Sequence, residues 1–439
     1  MKGNILNLAK RLVKHELITG SMYIFIGIMV ASFLNFLLNL FLARNLIPSD
    51  YGIYASLLSL FALVGIPAQS LTTTIVRFVA DYFAKNKIEK AANLYIKMYK
   101  FVFFVSLLIL IIFFTFSAPI KSFLNIENSF YVIFIGIIAA FSYLGTVNTA
   151  FLQGMFKFPY LSFSNVTGSF TRTIFGVLLV FLGFRVFGAL WAIFLASIVS
   201  FTLQLFPLRF LLGKKTSLES RVSIKEILSY ALPASVAILS LNSFISIDVI
   251  LVKHFFNPHA AGLYGGLSLL GKVIFYFTGP IPSVMFPLLI KRHNLGQNFR
   301  NLFFLSTILV LSPSIAITIF YFIFPSFSIN FFLAGRDYLS ILPYLGIFAV
   351  FITLFSILNV FVNFFLSLKK TNIAIFTFLA AFLQIVLIFI FHSNFYQIII
   401  DSTLSISLLL AALIIYFIKE FGSVNKFKGT IVIPNSPTV

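Results

Sequence analysis

Long apolar runs alternate with short polar segments along almost the whole chain. Most runs are at least as long as the roughly 18 residues that a helix needs to cross a bilayer. They are continuous and do not alternate polar with apolar positions, so they predict helices rather than strands of a membrane barrel. Hydropathy predicts about twelve spans, at residues 21–42, 52–80, 101–118, 131–153, 160–183, 187–212, 228–252, 262–290, 302–324, 341–368, 372–391 and 397–418.

Composition supports the same fold class. Charged residues make up 10% of the 439 residues and hydrophobic residues 60%, whereas about a quarter of a soluble chain is charged. The 60 phenylalanines suit helix surfaces that face lipid. The chain is therefore predicted to be an all-α integral membrane protein without a sizeable soluble domain. It contains no cysteine, which excludes disulfides and thiolate metal sites.

The net charge of +20 is distributed over the polar segments and is not pooled in one patch, so a nucleic-acid partner is not expected. Nearly all of it falls in segments on one side of the predicted membrane. Because cationic loops face the cytoplasm, both termini are predicted to be cytoplasmic and the protein to lie in the cytoplasmic membrane. Loops on the opposite side carry about one cation each, namely Arg44, Lys121, Arg185, Lys253 and Arg336.

The order of these segments predicts two bundles of six helices. Residues 18–212 form the first bundle, residues 213–227 a cytoplasmic linker, residues 228–418 the second bundle and residues 419–439 a cytoplasmic tail. Residues 1–17 form a basic segment with three apolar residues on one helical face. That pattern fits an interfacial helix on an anionic leaflet or a simple positively charged anchor.

A sequence motif occurs once in each predicted bundle. Pro48-Ser-Asp-Tyr-Gly-Ile-Tyr54 aligns without a gap with Pro258-His-Ala-Ala-Gly-Leu-Tyr264. The two copies lie six predicted spans apart, an even number, so they share one orientation. The pattern predicts a parallel internal repeat about an axis along the membrane normal, as in transporters built from two such halves.

Prolines interrupt the spans that follow both copies of the motif. The second span contains Pro67, and the eighth contains Pro280 and Pro282 at nearly the same depth. Proline removes a helical hydrogen bond and kinks the helix. Matching interruptions in two halves of a membrane protein indicate a transport pathway, although proline is also common in membrane helices without such a role.

Four ionisable residues fall well within the predicted spans. They are Arg77, Arg172, Asp248 and Lys272, and each is expected to face a cavity or a partner because a charge at a helix centre costs about 2.5–3.5 kcal/mol. Arg77 lies near a helix end, where its side chain reaches the interface, and Asp248 has Lys253 or Lys272 as a charge partner. Arg172 and Lys272 are therefore the strongest candidates for binding an anion such as phosphate.

Uncharged polar residues within the spans favour a wet interior, although each one alone is better explained by a bond between helices. The spacing of Gly266, Gly271 and Lys272 matches a phosphate-binding loop, but Val273 follows and the segment lies in a predicted membrane helix, so the match is rejected. The sequence contains no catalytic carboxylate pair, metal-ligand spacing or nucleophile triad. No enzyme activity, metal or cofactor is therefore expected. The uncharged polar residues are Asn35, Asn39, Gln69, Asn148, Asn165, Gln204, Asn242, Asn359, Asn363 and Gln384.

Several short motifs together resemble a known family. These are the basic N-terminal segment, Phe41-Leu-Ala-Arg44 before the first copy of the motif, Ile75-Val-Arg77 at the end of the second span, and Asp248 ahead of the second copy. The pattern resembles the polysaccharide-transporter family of Wzx-type oligosaccharide flippases. That family belongs to the superfamily that includes multidrug and toxin extrusion (MATE) exporters and lipid II flippases.

The resemblance implies two six-helix bundles in a V around a central cationic cavity. It also implies transfer of polyprenyl-diphosphate-linked oligosaccharides between leaflets, with membrane lipids, a polysaccharide polymerase and glycosyltransferases as partners. Arg77 and Asp248 lie where the family has a recurring arginine and aspartate, whereas Arg172 and Lys272 have no such match. The alternatives are a MATE-type drug or organic cation antiporter and, from another class, a membrane glycan polymerase.

Overall fold

A computed structural model describes residues 26–211, 235–294, 297–334, 337–368, 370 and 372–421. These residues are almost entirely helical, which confirms the predicted fold class. The predicted segment 1–17 and linker 213–227 lie outside them, as does the tail from residue 422 onwards. The helices before the gap at 212–234 are α1 (Ile26–Asn45), α2 (Pro48–Ala84), α3 (Ile88–Thr115), α4 (Ser117–Phe123), α5 (Ser129–Gly154), α6 (Phe158–Phe181) and α7 (Arg185–Leu205), which continues into a 3₁₀ turn (Phe206–Leu211).

The helices after that gap begin with a bent pair, α8 and α9. A 3₁₀ turn at Asp337–Ile341 leads into α14. The described part of α16 extends to Phe421, so it continues past the predicted start of the tail at residue 419. These helices are α8 (Ser235–Ser243), α9 (Ile247–Phe255), α10 (Pro258–Thr278), α11 (Pro280–Asn294), α12 (Arg300–Ile323), α13 (Pro325–Leu333), α14 (Leu342–Ser367), α15 (Ile373–Ile390) and α16 (Phe395–Phe421).

Ten helical stretches of the described chain are long and apolar enough to cross a membrane, and α8 with α9 forms an eleventh if the bent pair is one span. Helix α6 is not among the ten, although it is 24 residues long. Its serines, threonines, Asn165 and Arg172 lower its hydropathy. The ten stretches, the bent pair and α6 correspond one to one to the predicted spans.

The polar helix α6 is held in place by close packing against α7. The two approach each other at Gly168, where a side-chain methyl group would overlap Ser200. Ser200 Oγ donates a hydrogen bond to the Ser164 carbonyl at 3.2 Å. Small residues let membrane helices approach closely and form such bonds, so the close contact with α7 stabilises α6 at this point.

Two predicted spans are broken rather than continuous. Helices α8 and α9 meet at an angle of 49°. The predicted span 262–290 consists of α10 and α11, which are separated at Gly279 directly before Pro280. Pro67 behaves differently, because α2 continues through it as one helix from Pro48 to Ala84. The eighth span is therefore divided at its prolines, whereas a kink of α2 at Pro67 stays a prediction.

The chain forms two compact units, Met1–Ser235 and Val236–Val439. In the described part, the first contains α1 to α7 and the second nearly all of α8 to α16. At the centre of the second unit, α14 packs against α10, α12 and α16. Most residues of α14 are buried by these neighbours. An aromatic cluster joins α12, α14 and α16 through Phe303, Phe364 and Phe417. Each unit thus has its own core.

Candidate functional site

Arg172 is held on α6 by two hydrogen bonds to side chains of other helices. Its Nη1 donates to Asn35 Oδ1 on α1 at 3.0 Å, and its Nη2 donates to the Tyr54 hydroxyl on α2 at 2.8 Å. Its Nε is buried without a hydrogen-bond partner. In the described part of the chain, no carboxylate lies within ion-pair distance of Arg172. The guanidinium is therefore oriented by neutral groups, and its charge is not neutralised.

The two side chains that contact Arg172 are themselves fixed. Asn35 Nδ2 donates to the Ala31 carbonyl at 2.8 Å and to Ser169 Oγ at 3.3 Å. Tyr54 is 1% exposed, and its ring contacts that of Tyr51 at 6.2 Å between centroids. Rotation of either residue would break these contacts, so both hold their oxygen atoms in defined positions.

Arg172 lines a cavity of about 750 Å³ within the first unit. Along α2 the lining extends from Phe61 to Thr73, which is about 18 Å at the helical rise per residue. Among the lining residues that the structure describes, Arg172 is the one charged side chain, and none of them is a carboxylate. Hydroxyl and amide groups supply most of the remaining polarity, including Asn35, Gln69, Thr149, Asn165 and Gln204. Asn39 and Asn148 are buried and do not line the cavity.

A hydrogen-bonded group of side chains joins α5, α6 and α7 at one part of the cavity wall. Gln204 Oε1 accepts a hydrogen bond from the Thr149 hydroxyl at 3.0 Å, and Gln204 Nε2 donates to Ser164 Oγ at 3.2 Å. Gln204 is thereby satisfied at both ends of its amide. This part of the wall is polar yet rigid, which suits contact with a hydroxylated ligand.

Asp248 and Lys272 form the corresponding charged site of the second unit. Asp248 lies in the first turn of α9 and is fully buried. Its Oδ2 accepts a hydrogen bond from the Tyr264 hydroxyl at 2.9 Å, whereas its Oδ1 has no partner. Lys272 on α10 is partly buried and attracts Asp248 electrostatically, but they are not within 4.0 Å, the limit for a direct ion pair. Each residue is thus the electrostatic partner of the other, without direct contact between the two side chains.

The repeated motif has the same structural role in the two units. Pro48 begins α2 and Pro258 begins α10, and the tyrosine of each motif lies six residues further along its helix. Both tyrosines are buried, and each bonds to an ionisable side chain of its own unit. The partner differs in sign, because Tyr54 accepts from an arginine and Tyr264 donates to an aspartate.

The remaining candidates lie away from the cavity or beside it. Arg77 is on an exposed part of α2 and does not line the cavity. Pro67 lies within α2 between the lining residues Gly65 and Ala68. Pro280 and Pro282 form the start of α11. The structure therefore brings Arg172 together with the polar cavity, and it gives Lys272 an electrostatic partner in Asp248 without a direct ion pair.

The sequence did not identify two of the functional candidates that the structure shows. Tyr54 was identified as part of the repeat, but its contact with Arg172 spans 118 residues, and no local pattern predicts it. Asp401 lies within the predicted span 397–418, is 7% exposed and has an unpartnered Oδ2. An acidic residue in an apolar run was the signal that could have identified Asp401.

Comparison of the fold identifies the class of protein. The structure is similar to the inward-facing form of a multidrug resistance MATE family transporter, with a TM-score of 0.70, 15% identity, and coverage of 88% of this chain and 94% of that one. It is also similar to a transporter of the same superfamily from Pyrococcus furiosus, described as having a binding pocket of reverse polarity that suggests a different function. That match has a TM-score of 0.65 and 16% identity, and covers 92% and 96% of the two chains. The protein is a multi-pass membrane protein with the MATE transporter fold.

The sequence identifies the family. A profile of the polysaccharide biosynthesis protein family matches residues 41–343, and the chain belongs to that family. An uncharacterised membrane protein of Methanocaldococcus jannaschii is 25% identical over 259 residues, which are 55% of this chain and 59% of the relative. The matched region thus spans about three fifths of that relative's length. The resemblance seen in the motifs is confirmed at the level of the family.

Proposed function

We propose that the protein is a flippase for lipid-linked oligosaccharides in cell-surface polysaccharide biosynthesis. It would move a polyprenyl-diphosphate-linked glycan from the inner to the outer leaflet by alternating access. The observation that carries the proposal is the charge of the first unit's cavity, where Arg172 stands without a carboxylate among uncharged polar side chains. Family membership and the transporter fold support the same conclusion.

The cavity suits the chemistry of such a substrate. Arginine binds phosphate oxygens through charge-assisted hydrogen bonds in a planar geometry. The hydroxyl and amide groups along the wall, such as Thr149 and Gln204, suit the hydroxyl groups of a glycan. The polyprenyl tail would stay in lipid. In this proposal Arg172 binds the diphosphate, and Lys272 and Arg77 are additional cations on its path.

The charge balance ranks these three cations. Lys272 is compensated by Asp248, and Arg77 lies on an exposed helix surface, whereas Arg172 faces the cavity without an opposing charge. Arg172 is therefore assigned the main contact. Asp248 acts in the proposal as the charge partner of Lys272 and as a coupling group, because its unpartnered Oδ1 is available to a proton.

The proposal also covers motion and topology. Pro67, Pro280 and Pro282 are hinge positions, since proline weakens the helical hydrogen bonding next to it. The charge of the loops supports a topology with both termini in the cytoplasm and the protein in the cytoplasmic membrane. Glycosyltransferases of the same pathway would then supply the substrate on the cytoplasmic side of the membrane, and a polymerase would consume it on the outer side.

A MATE-type exporter of organic cations is the second candidate, because relatives in structure include a MATE multidrug transporter, DinF-BH, solved in complex with a ligand. That structure has a TM-score of 0.66 and 16% identity, and the match covers 94% of this chain and 96% of that one. A cation carried in this cavity would meet Arg172 and no carboxylate, which is electrostatically unfavourable. A glycan polymerase is the third candidate, and it would need a catalytic group outside the membrane.

The test is transport by purified protein in liposomes. A fluorescent polyprenyl-diphosphate sugar would be followed for exchange between leaflets, beside efflux of a fluorescent organic cation. Wild type is expected to exchange the lipid, with Arg172→Ala lowering the rate at least tenfold and Lys272→Ala having a smaller effect. Unchanged exchange in the Arg172→Ala/Lys272→Ala double variant would refute the anion site. Efflux of the cation without lipid exchange would instead identify an exporter.

A further inference from the structure

We infer that Tyr54, the tyrosine of the first repeat motif, is a positioning residue that directs the Arg172 guanidinium into the cavity, with Asn35 as its second support. Tyr54 is 1% exposed and is not a lining residue, whereas Arg172 and Asn35 both line the cavity. The tyrosine therefore contacts the arginine from the protein side. The inference rests on the proposed function only where it is tested by measuring transport.

The position of Tyr54 follows from the motif. Pro48 occupies the first turn of α2, where its missing N–H costs nothing and its fixed φ favours the helix. Tyr54 lies six residues further, which is about 9 Å along the helix. At that depth its hydroxyl oxygen accepts the hydrogen bond from Arg172 Nη2 at 2.8 Å. The helix start defined by the proline thus sets the depth of the hydroxyl group.

Two anchors on different nitrogens define the plane of the guanidinium. Asn35 binds Nη1 from α1 and Tyr54 binds Nη2 from α2, so the planar group cannot rotate without losing one bond. A guanidinium has five N–H donors. Two are used by these anchors and one lies on the buried Nε, which leaves one on each Nη nitrogen. These two N–H groups can donate charge-assisted hydrogen bonds to an anionic group such as a phosphate or a carboxylate.

The second unit supports this role for the motif tyrosine independently. Tyr264 occupies the same position after Pro258 and donates to Asp248 Oδ2 at 2.9 Å. A phenylalanine would fill the same space in both units but would make neither bond. Because the hydroxyl reaches an ionisable side chain in both units, despite the change of sign, its polar contact rather than its ring volume is the shared feature.

The first test measures transport kinetics in proteoliposomes. Tyr54→Phe is expected to raise the apparent KM for the fluorescent lipid-linked sugar about three- to tenfold, with the larger shift when Asn35→Leu is added. The matched control is Tyr95→Phe, which removes a buried hydroxyl bonded to Asn148 Oδ1 at 2.8 Å in the same unit, away from the cavity. It is expected to leave KM unchanged. Equal KM values for wild type and Tyr54→Phe would overturn the inference.

The second test does not depend on the substrate. Arg172 in proteoliposomes would be modified with phenylglyoxal, and the rate would be measured by mass spectrometry of its peptide. Tyr54→Phe and Asn35→Leu are each expected to speed modification at least twofold, because each frees one Nη group, while Tyr95→Phe leaves the rate unchanged. If Tyr54→Phe matches wild type, Tyr54 does not hold Arg172.

The two tests separate failure of the inference from failure of the proposed function. If Arg172→Ala transports at the wild-type rate, the proposed anion site fails, and the phenylglyoxal rates still decide whether Tyr54 holds the arginine. If Arg172→Ala is inactive while Tyr54→Phe is normal in both tests, the site stands and Tyr54 has only a packing role. The thermal unfolding midpoints of Tyr54→Phe and Tyr95→Phe must agree for the kinetic comparison to hold.

Discussion

The two units use one motif to hold charges of opposite sign, and they treat those charges differently. In the first unit Tyr54 and Asn35 bond Arg172, which has no opposing charge and lines a cavity. In the second, Tyr264 bonds Asp248, which is fully buried and attracted by Lys272. The repeated motif thus places a buried tyrosine hydroxyl beside an ionisable side chain in both units. The residue opposite that hydroxyl determines whether the site is open to a ligand or compensated internally.

The difference also changes the weight of the candidates. Arg172 and Lys272 were equivalent in the sequence, because both are cations within predicted spans. In the described part of the structure, Lys272 has Asp248 as an electrostatic partner, whereas Arg172 has no carboxylate within ion-pair distance. An uncompensated cation beside a cavity gains more from an incoming anion than a compensated one does, so the comparison predicts different responses to mutation in the two units.

The largest expected effect is on the stability of the second unit. Asp248→Asn would keep an acceptor for Tyr264 but leave the Lys272 charge without its partner. Removal of one member of a direct buried charge pair costs about 3–5 kcal/mol. Because Asp248 and Lys272 are not in direct contact, the expected loss is smaller, about 2–3 kcal/mol. Thermal unfolding of purified protein would measure it. The Asp248→Asn/Lys272→Met double variant should recover part of the loss, and no recovery would show that the two charges do not compensate each other.

A smaller stability effect is expected in the first unit. Arg172→Met removes a guanidinium that has no ionic partner, so it breaks two hydrogen bonds and leaves no opposite charge behind. A hydrogen bond to a charged group contributes about 1.5–3 kcal/mol, but removal also relieves the unpartnered Nε, so the expected net loss is about 1–2 kcal/mol. Unfolding curves of Arg172→Met beside Asp248→Asn would test the comparison. A larger loss of stability in Arg172→Met than in Asp248→Asn would contradict the expected difference between the two units.

The break between α8 and α9 distinguishes the second unit in another way. Gln384 on α15 donates to the Phe244 carbonyl in the break at 3.1 Å and to Ser402 Oγ at 2.9 Å. Gln384→Leu would leave that buried carbonyl without its donor, which costs about 1–2 kcal/mol. Hydrogen exchange of the amides from Ile247 to Phe255 should rise. In Gln204→Leu, the matched change in the first unit, those amides should exchange as in wild type.

The smallest effect is expected at a surface ion pair between Lys370 and Glu420. Their side chains meet at 2.7 Å and are 39% and 38% exposed. The Glu420 carboxylate, which accepts a hydrogen bond from Nζ, raises the pKa of Lys370. The ion pair therefore stabilises the folded protein fully at pH values below the ordinary lysine pKa. This stabilisation is lost as the pH rises through the raised pKa of Lys370. Lys370→Met should lower the free energy of unfolding by no more than about 0.5 kcal/mol near neutral pH, as measured by thermal unfolding. A larger loss would show that this ion pair is stronger than an ordinary exposed one.

Much of the fold was predictable, because long apolar runs have few options in a bilayer. A continuous run must form a helix to satisfy its backbone, and each of the predicted spans corresponds to a helix or helix pair. The division of 262–290 at Gly279 and the continuity of α2 through Pro67 were not distinguishable in advance. Both segments contain glycine and proline, and the packing around each helix decides whether it breaks.

The site was predictable only in part. Charged residues in apolar runs identified Arg172, Asp248 and Lys272, since their cost in a membrane demands a partner or a cavity. The same rule applied to Asp401 would have added a further buried acid. Which group each one meets depends on contacts over long sequence distances, such as the 137 residues between Arg172 and Asn35.

The sequence by itself determined that this is a helical membrane protein, how its spans are arranged along the chain, and that a motif is repeated in two halves. These features are local, because hydropathy and motif spacing are read from neighbouring positions. Only the tertiary structure decided that Tyr54 and Asn35 bond Arg172 at a cavity whose described lining contains no carboxylate, and that Asp248 is an electrostatic partner of Lys272. Electrostatic compensation depends on distance in space, and residues far apart in the chain acquire that distance only when the helices pack.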